Sequence, residues 1–233
     1  MKLAIMQPYF LPYIGYFQLI NAVDEFVVYD NIQFTKKGWI NRNRILVNGK
    51  DDFISLPLKK DSDYLDIKDR FLADSWIIER KKMLNKIKET YKKAAYFDSV
   101  YPVMEKIIMY NESNLFKFVL NSLNLVIEYI GLNTPLIISS TISIDHTLKS
   151  EKKVIEICKA KNATNYINPI GGAGLYDKEH FSKEGIKLEF IKANDIIYTQ
   201  FDKKFLPFLS IIDVMMFNSK EEIKNLLSSF ILE

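Results

Sequence analysis

The chain has 233 residues, 48% hydrophobic and 26% charged, with 32 basic residues against 29 acidic ones and a net charge of +3. That length suits one large domain, or a core with an insertion. So even a charge balance excludes nucleic acid as the main partner.

Lys2–Met6 reads as a buried strand, and its apolar run is too short for a signal peptide. Gln7–Tyr13 is a loop bracketed by Pro8 and Pro12. Ile14–Val23 repeats its apolar residues at helical spacing, and strand-like Phe26–Tyr29 follows at once. Strand, loop, helix, strand implies a right-handed crossover and parallel pairing. Two apolar runs then flank Asn48-Gly49, which predicts a β-hairpin within Arg44–Leu58. Lys59–Asp69 is a charged loop.

Residues 75 to 132 read as three helices. The first starts at Ser75/Trp76 and ends at Ala95; Asp98/Ser99 is the expected cap of the second, which runs through Tyr110; Asn111–Asn114 caps the third, which ends at Gly131. Leu115–Leu132 is the most apolar stretch, but Lys117, Asn121, Asn124 and Glu128 argue against a bilayer span, so no membrane insertion is expected. The alternation then resumes. Leu136–Ser139 is a strand and Lys149/Ser150 to Lys161 a helix carrying the lone Cys158 on its apolar stripe, a packed thiol that fits a reducing cytoplasm. Asn165–Asn168 and Lys187–Ile191 are strands around a short helix, Asp177–Glu184. Helices follow near Leu209–Phe217 and over Lys220–Leu232, the last capped by Ser219. The pattern predicts an α/β fold: a doubly wound, mainly parallel, Rossmann-like sheet with a β-hairpin and a helical insertion. As one domain over 1–233, residues 45–134 form the hairpin plus insertion and 135–233 complete the core.

In such folds ligands sit beyond the carboxyl ends of the strands. Gln7, Tyr9, Tyr13, Gly15 and Tyr16 lie after the first strand, beside a helix start whose free N–H groups favour an anion. The plain alternative is an aromatic loop packed into the core. Asp30 and Gln33 end the second strand, followed by Lys36, Lys37, Trp39, Asn41, Arg42 and Arg44. Arginine forks there suit phosphate or carboxylate; a solvated basic loop is the alternative. Asn168, Gly171, Gly172 and Tyr176 form a glycine-rich turn between strand and helix, without a Walker sequence. His146 follows a strand end, where an acid/base group belongs. His180 sits on a short charged helix, facing solvent. Two distant histidines and one cysteine make no zinc site. Nothing pairs Asp145, Asp195, Asp202 and Asp213 as magnesium ligands. Ser210 and Asp213 share a helix face, to reach a ligand or to cap the helix.

Gln7-Pro-Tyr-Phe-x-Pro-Tyr-x-Gly-Tyr-Phe-Gln, the Asp24–Ile45 segment around Lys37-Gly-Trp-Ile-Asn-Arg-Asn-Arg44, Tyr166-Ile-Asn-Pro-x-Gly171-Gly172 and Leu209-Ser-Ile-Ile-Asp213 together resemble the WbqC family across essentially the whole chain. The resemblance implies bacterial O-antigen or surface-polysaccharide synthesis. A second similarity is architectural, to HIGH-type nucleotidylyltransferases and pantothenate synthetase, where two histidines hold ATP phosphates; here those positions read Tyr13-Ile14-Gly15-Tyr16. The implied function is a cytoplasmic enzyme that N-acylates the amino group of a nucleotide-linked amino sugar. Asp30 or His146 would act as base, with Lys37 in the catalytic set. The acyl donor is an acyl-CoA, or an acyl-adenylate made from ATP with Mg²⁺. The alternatives are a nucleotidylyltransferase acting on a sugar phosphate and a non-catalytic sugar-nucleotide-binding protein. A homodimer is left open.

Overall fold

The computed structural model describes residues 1–201 and 204–233. Six strands form one sheet: β1 (Lys2–Met6), β2 (Glu25–Val28), β5 (Leu136–Ile138), β6 (Asn165–Pro169), β7 (Lys187–Ala193) and β8 (Phe230–Leu232), with a separate hairpin of β3 (Arg42–Val47) and β4 (Lys50–Ser55) between. The spatial order is β5-β2-β1-β6-β7-β8. Every pairing is parallel except that of β8 with β7. The helices are α1 (Ile14–Asn21), α2 (Trp76–Tyr91), α3 (Phe97–Ile108), α4 (Leu115–Ile130), α5 (Ser150–Ala160), α6 (Lys178–Lys183), α7 (Ile211–Phe217) and α8 (Lys220–Leu227).

Strand alternation splits the core into two layers. Ala4, Phe26, Val28, Ile167 and Ile191 pack toward α1, α4, α7 and α8. Leu3, Ile5, Val27, Tyr166 and Leu188 pack toward α5 and α6. Leu115, Phe118, Val119, Leu123 and Val126 give α4 one fully buried face. At ~1.5–3 kcal/mol per large apolar side chain, that face contributes on the order of 10 kcal/mol before chain entropy is charged against it. The Asn114 side chain accepts from Lys117 N at 3.0 Å and caps this helix.

The hairpin turn places Asn48 at φ 53° and Gly49 at φ 82°, the two left-handed residues of a type I′ turn. The hairpin stands off the main sheet and is tied to the helices. Ser210 N donates to Arg44 O at 2.8 Å, and Leu46 N donates to the Tyr91 hydroxyl at 3.1 Å. That hydroxyl donates to the fully buried Asp213 carboxylate at 2.8 Å, which also accepts from Tyr198 (2.7 Å) and Gln200 (2.6 Å).

Two local expectations fail. The last helix ends at Leu227 rather than Leu232, because Phe230–Leu232 pairs with β7 as an antiparallel edge strand. The backbone satisfies its polar groups there against a neighbour that lies far away in sequence. Neither Asp98 nor Ser99 caps α3: Tyr96 occupies the N-cap, and the Ser99 hydroxyl donates to Tyr96 O at 2.9 Å. The helix starts one turn-position earlier, where Phe97 stacks on Tyr101 at 5.0 Å.

β1 leads through α1 to β2 on one side, while β6 joins β1 on the other. The chain therefore reverses direction across the sheet between β1 and β6. Their carboxyl ends, Met6 and Pro169, flank the crevice where doubly wound folds bind ligands.

Candidate functional site

A pocket of about 360 Å³ occupies that crevice, the volume of a small-ligand site. Met6 and Pro169–Ile170 line it from the strand ends, Gly15 and Tyr16 from the first turn of α1, and Tyr9, Pro12 and Tyr13 from the loop between. Trp39, Asn43 and Arg44 close it from the hairpin side, and Ile191, Ala193 and Phe208 from the other.

The loop is held firmly. Leu11 is fully buried at φ 44°, a conformation that costs a non-glycine residue about 1–3 kcal/mol unless its surroundings enforce it. Here they do. The Asn43 amide donates to Phe10 O (3.2 Å) and Leu11 O (2.9 Å), the Ser210 hydroxyl donates to Leu11 O (2.7 Å), and Ile211 N donates to Pro12 O (2.8 Å). Ser210 also accepts from Ile212 N and caps α7. The pocket wall is therefore pre-formed.

Most polar groups in this lining already have partners. Gln18 donates to Leu226 O and Ser229 O. Asn43 Oδ1 accepts from Arg44 N. The Arg44 guanidinium donates to Asp51 and to Phe208 O and stacks 5.4 Å from the Trp39 ring. The Tyr16 hydroxyl donates to Gln7 O at 3.0 Å. Among the described residues, no hydrogen bond engages the hydroxyls of Tyr9 or Tyr13. Burial raises the pKa of both phenols above the ordinary value, with Asp195 adding to the effect at Tyr13, so they stay neutral hydrogen-bond donors. The walls are otherwise aromatic and aliphatic.

A second group of residues stands on the α5 face of the same sheet edge. Tyr29 N donates to Met6 O at 2.8 Å, so the ends of β1 and β2 are adjacent. The buried Asp30 carboxylate accepts from Ser140 N (2.8 Å) and the Ser140 hydroxyl (2.6 Å). His146 Nε2 lies 3.0 Å from Ile142 O and its Nδ1 2.8 Å from the Asn31 amide nitrogen. A carbonyl only accepts, so this network puts the ring proton on Nε2. Lys153, from α5, donates to Asn31 O at 3.1 Å and lies 5.0 Å from the Tyr29 ring. Tyr29 is pushed up to about 12 by burial, with Tyr176 and Asp66 adding to it. The Tyr166 hydroxyl joins Asn168 (3.2 Å) to Tyr176 (3.5 Å). The Asn168 carboxamide lies under Gly172, where a Cβ would fall 2.2 Å from Nδ2; only glycine leaves room for it.

The structure thus distributes the residues named from sequence. Tyr9, Tyr13, Gly15, Tyr16, Trp39 and Arg44 line the pocket. Asp30, His146, Asn168 and Tyr176 belong to the opposite face, with Gly171 exposed beside them. Gln7 stands between, at the end of β1. Gln33 donates to Asp63 O and Lys36 pairs with Asp63 in the open. Lys37 is exposed. Asn41 donates to Leu56 O, and Arg42 donates to Gly38 O and Lys37 O. None of these last five lines the pocket. His180 is half-buried and bonded to Glu151 rather than free in solvent. Among the described residues no cluster of His, Cys, Asp and Glu could hold a metal ion; Asp202 lies outside them. Sequence reasoning missed Lys153. The signal was there: it lies four residues before Ile157, on the buried stripe of α5.

The fold and the crevice define the class: a doubly wound α/β protein with a pre-formed, largely apolar pocket at its topological switch point. The chain belongs to the WbqC-like protein family, whose model matches residues 7–225. It is similar to a protein of Mycobacterium tuberculosis (strain ATCC 25618 / H37Rv) described as the uncharacterized protein Rv1507c, at 28% identity over 220 residues, covering 92% of each chain. No solved structure matches it. Among the described residues no helix is long and apolar enough to cross a membrane.

Proposed function

We propose that this protein is an amide-forming acyltransferase of surface-glycan precursor synthesis, acting in the cytoplasm on the amino group of a nucleotide-linked amino sugar. Membership of the WbqC-like family supports the surface-polysaccharide setting. The observation that carries the acyl part is the character of the pocket. A diphosphate or a sugar needs unengaged charges or several free polar groups, whereas here Asn43 and Gln18 are already engaged and Arg44 gives both terminal nitrogens to Asp51 and Phe208 O, leaving only its buried Nε without a partner. An aliphatic acyl group needs apolar walls and one donor for its carbonyl oxygen. Tyr9 and Tyr13 supply neutral donors in walls of that kind. The activated acyl group, as thioester or adenylate, enters the pocket, and the sugar approaches along the carboxyl edge from β2.

The test is mass spectrometry of nucleotide-linked 3- and 4-amino sugars incubated with the protein and a panel of acyl thioesters, or with carboxylic acids, ATP and Mg²⁺. The expected result is a mass gain of one acyl group on the sugar nitrogen. Pyrophosphate release that depends on a sugar phosphate, with no acylated product from any donor, would overturn the reading in favour of nucleotidyl transfer.

A further inference from the structure

Residues 76–93, which are α2 and its C-terminal flank, hold seven basic residues against two acidic ones, a surplus of five, although the whole chain has a net charge of only +3. The rest of the chain is therefore slightly acidic, and the positive charge is concentrated on one element. At 3.6 residues per turn, Ile77, Ile78, Lys81, Lys82 and Lys88 fall within an arc of roughly 140°. All five are exposed, and Lys93 continues the row just past the helix end. The opposite face, Trp76, Met83, Leu84, Ile87 and Tyr91, is buried.

The exposed face is unusual in two ways. Lys86 and Lys92 pair with Asp52 and Glu89, but among the described residues no ion pair engages Lys81, Lys82, Lys88 or Lys93. Ile77 and Ile78 stand side by side in the first turn, 64% and 66% exposed, where aliphatic side chains gain nothing from water. More apolar surface gathers at this end. Trp76 and the exposed Tyr110 both pack on Phe118, at 5.5 and 6.3 Å, and the exposed Phe71 bridges to Asn114, the cap of the same α4. An apolar tip beside a row of unpaired lysines complements a surface that is anionic outside and hydrocarbon just beneath. A polynucleotide would match the lysines but offers the isoleucines nothing.

We propose that this face of α2 docks the protein on the surface of an anionic lipid bilayer. Lys81, Lys82, Lys88 and Lys93 lie against the headgroup phosphates, while Ile77 and Ile78 enter the boundary of the acyl chains. The helix lies along the surface, so the contact is peripheral and reversible. It weakens with salt, because attraction between exposed charges is screened within a Debye length. None of these residues lines the pocket, so docking holds whichever reaction the pocket performs.

The experiment is co-sedimentation of the full-length protein with vesicles of phosphatidylcholine, alone or with about 30% phosphatidylglycerol, at about 0.1 and about 0.5 M salt. Binding is expected to the anionic vesicles only, and weaker at high salt. Each lysine near the surface contributes about fivefold, so Lys81→Gln, Lys82→Gln, Lys88→Gln and Lys93→Gln combined lose more than about 100-fold in affinity. Ile77→Ser with Ile78→Ser loses about tenfold. All six positions are exposed, so both variants keep the wild-type melting temperature. A control removes the same charge from another exposed region, by Lys178→Gln, Lys183→Gln, Lys187→Gln and Lys192→Gln, and stays within about threefold of wild type. No binding to anionic vesicles, or an equal loss in the control, overturns the proposal. An isoleucine variant that binds like wild type overturns it too, and assigns the face to polyanions in general.

Discussion

Asn43→Ala measures how the pocket loop is held. The Asn43 side chain is 4% exposed and makes three bonds: to Phe10 O, to Leu11 O, and from Arg44 N. Alanine removes all three. Leu11 O keeps its 2.7 Å bond from Ser210. Phe10 O loses the Asn43 donor, and Arg44 N loses its acceptor. Two stranded backbone groups at ~1–3 kcal/mol each put the loss near 3 kcal/mol. Most of a typical 5–15 kcal/mol stability survives that, so the variant folds. In urea, with m near ~3 kcal/mol/M for a chain this long, the midpoint falls by about 1 M at unchanged m. Because Leu11 is strained and doubly anchored, Asn43→Ala combined with Ser210→Ala destabilises by about 1 kcal/mol more than the sum of the single changes. A loss below about 0.5 kcal/mol for Asn43→Ala, or strict additivity in the pair, would show that the loop holds its φ 44° conformation without these bonds and would refute the anchoring argument.

Asp213 gives a pH signature. Burial raises its carboxyl pKa above the ordinary 3.8, against the lowering effect of Tyr198, Tyr91 and Gln200. The native state therefore holds this proton more tightly than the unfolded chain. Its stabilisation is complete below the ordinary value and declines as pH climbs through the folded one. Asp213→Ala is expected to be less stable than wild type by about 2–4 kcal/mol at pH 4, with a narrower gap at pH 8; a gap that widens with pH in parallel urea melts contradicts this. Gly172→Ala forces the Asn168 carboxamide off its Tyr166 partner and lowers stability by about 1–2 kcal/mol, read by thermal melting. Ala193→Phe fills the pocket and abolishes acyl transfer while leaving the unfolding free energy from urea melts within about 0.5 kcal/mol of wild type; full activity in this variant would move the acyl group elsewhere. Ser219→Ala breaks a reciprocal capping box with Glu222 and costs about 1 kcal/mol.

Much of this protein is written in local rules. β1, the three helices between Trp76 and Ile130, the Asn114 cap and the Asn48-Gly49 turn each follow from side-chain period, or from a backbone angle that few residues adopt. The switch-point crevice was legible too, because strand–helix alternation limits the topology and topology limits where ligands bind. Tyr9, Tyr13, Gly15 and Tyr16, which line it, follow the first strand directly in the chain.

Other features depend on partners far away in the chain. Arg42 and Arg44 read as phosphate forks until the fold supplies carbonyls and Asp51 to occupy them. Phe230–Leu232 reads as the end of a helix until β7 offers an edge. Lys153 reads as one charge among many on α5 until packing removes its water and sets it against Tyr29 and Asn31. Periodicity and turn chemistry are properties of neighbouring residues, so the sequence carried them alone. Desolvation, and the question of which donors remain free, are properties of the assembled interior. They divided one anticipated site into an apolar pocket and a polar face on opposite sides of the same strand ends.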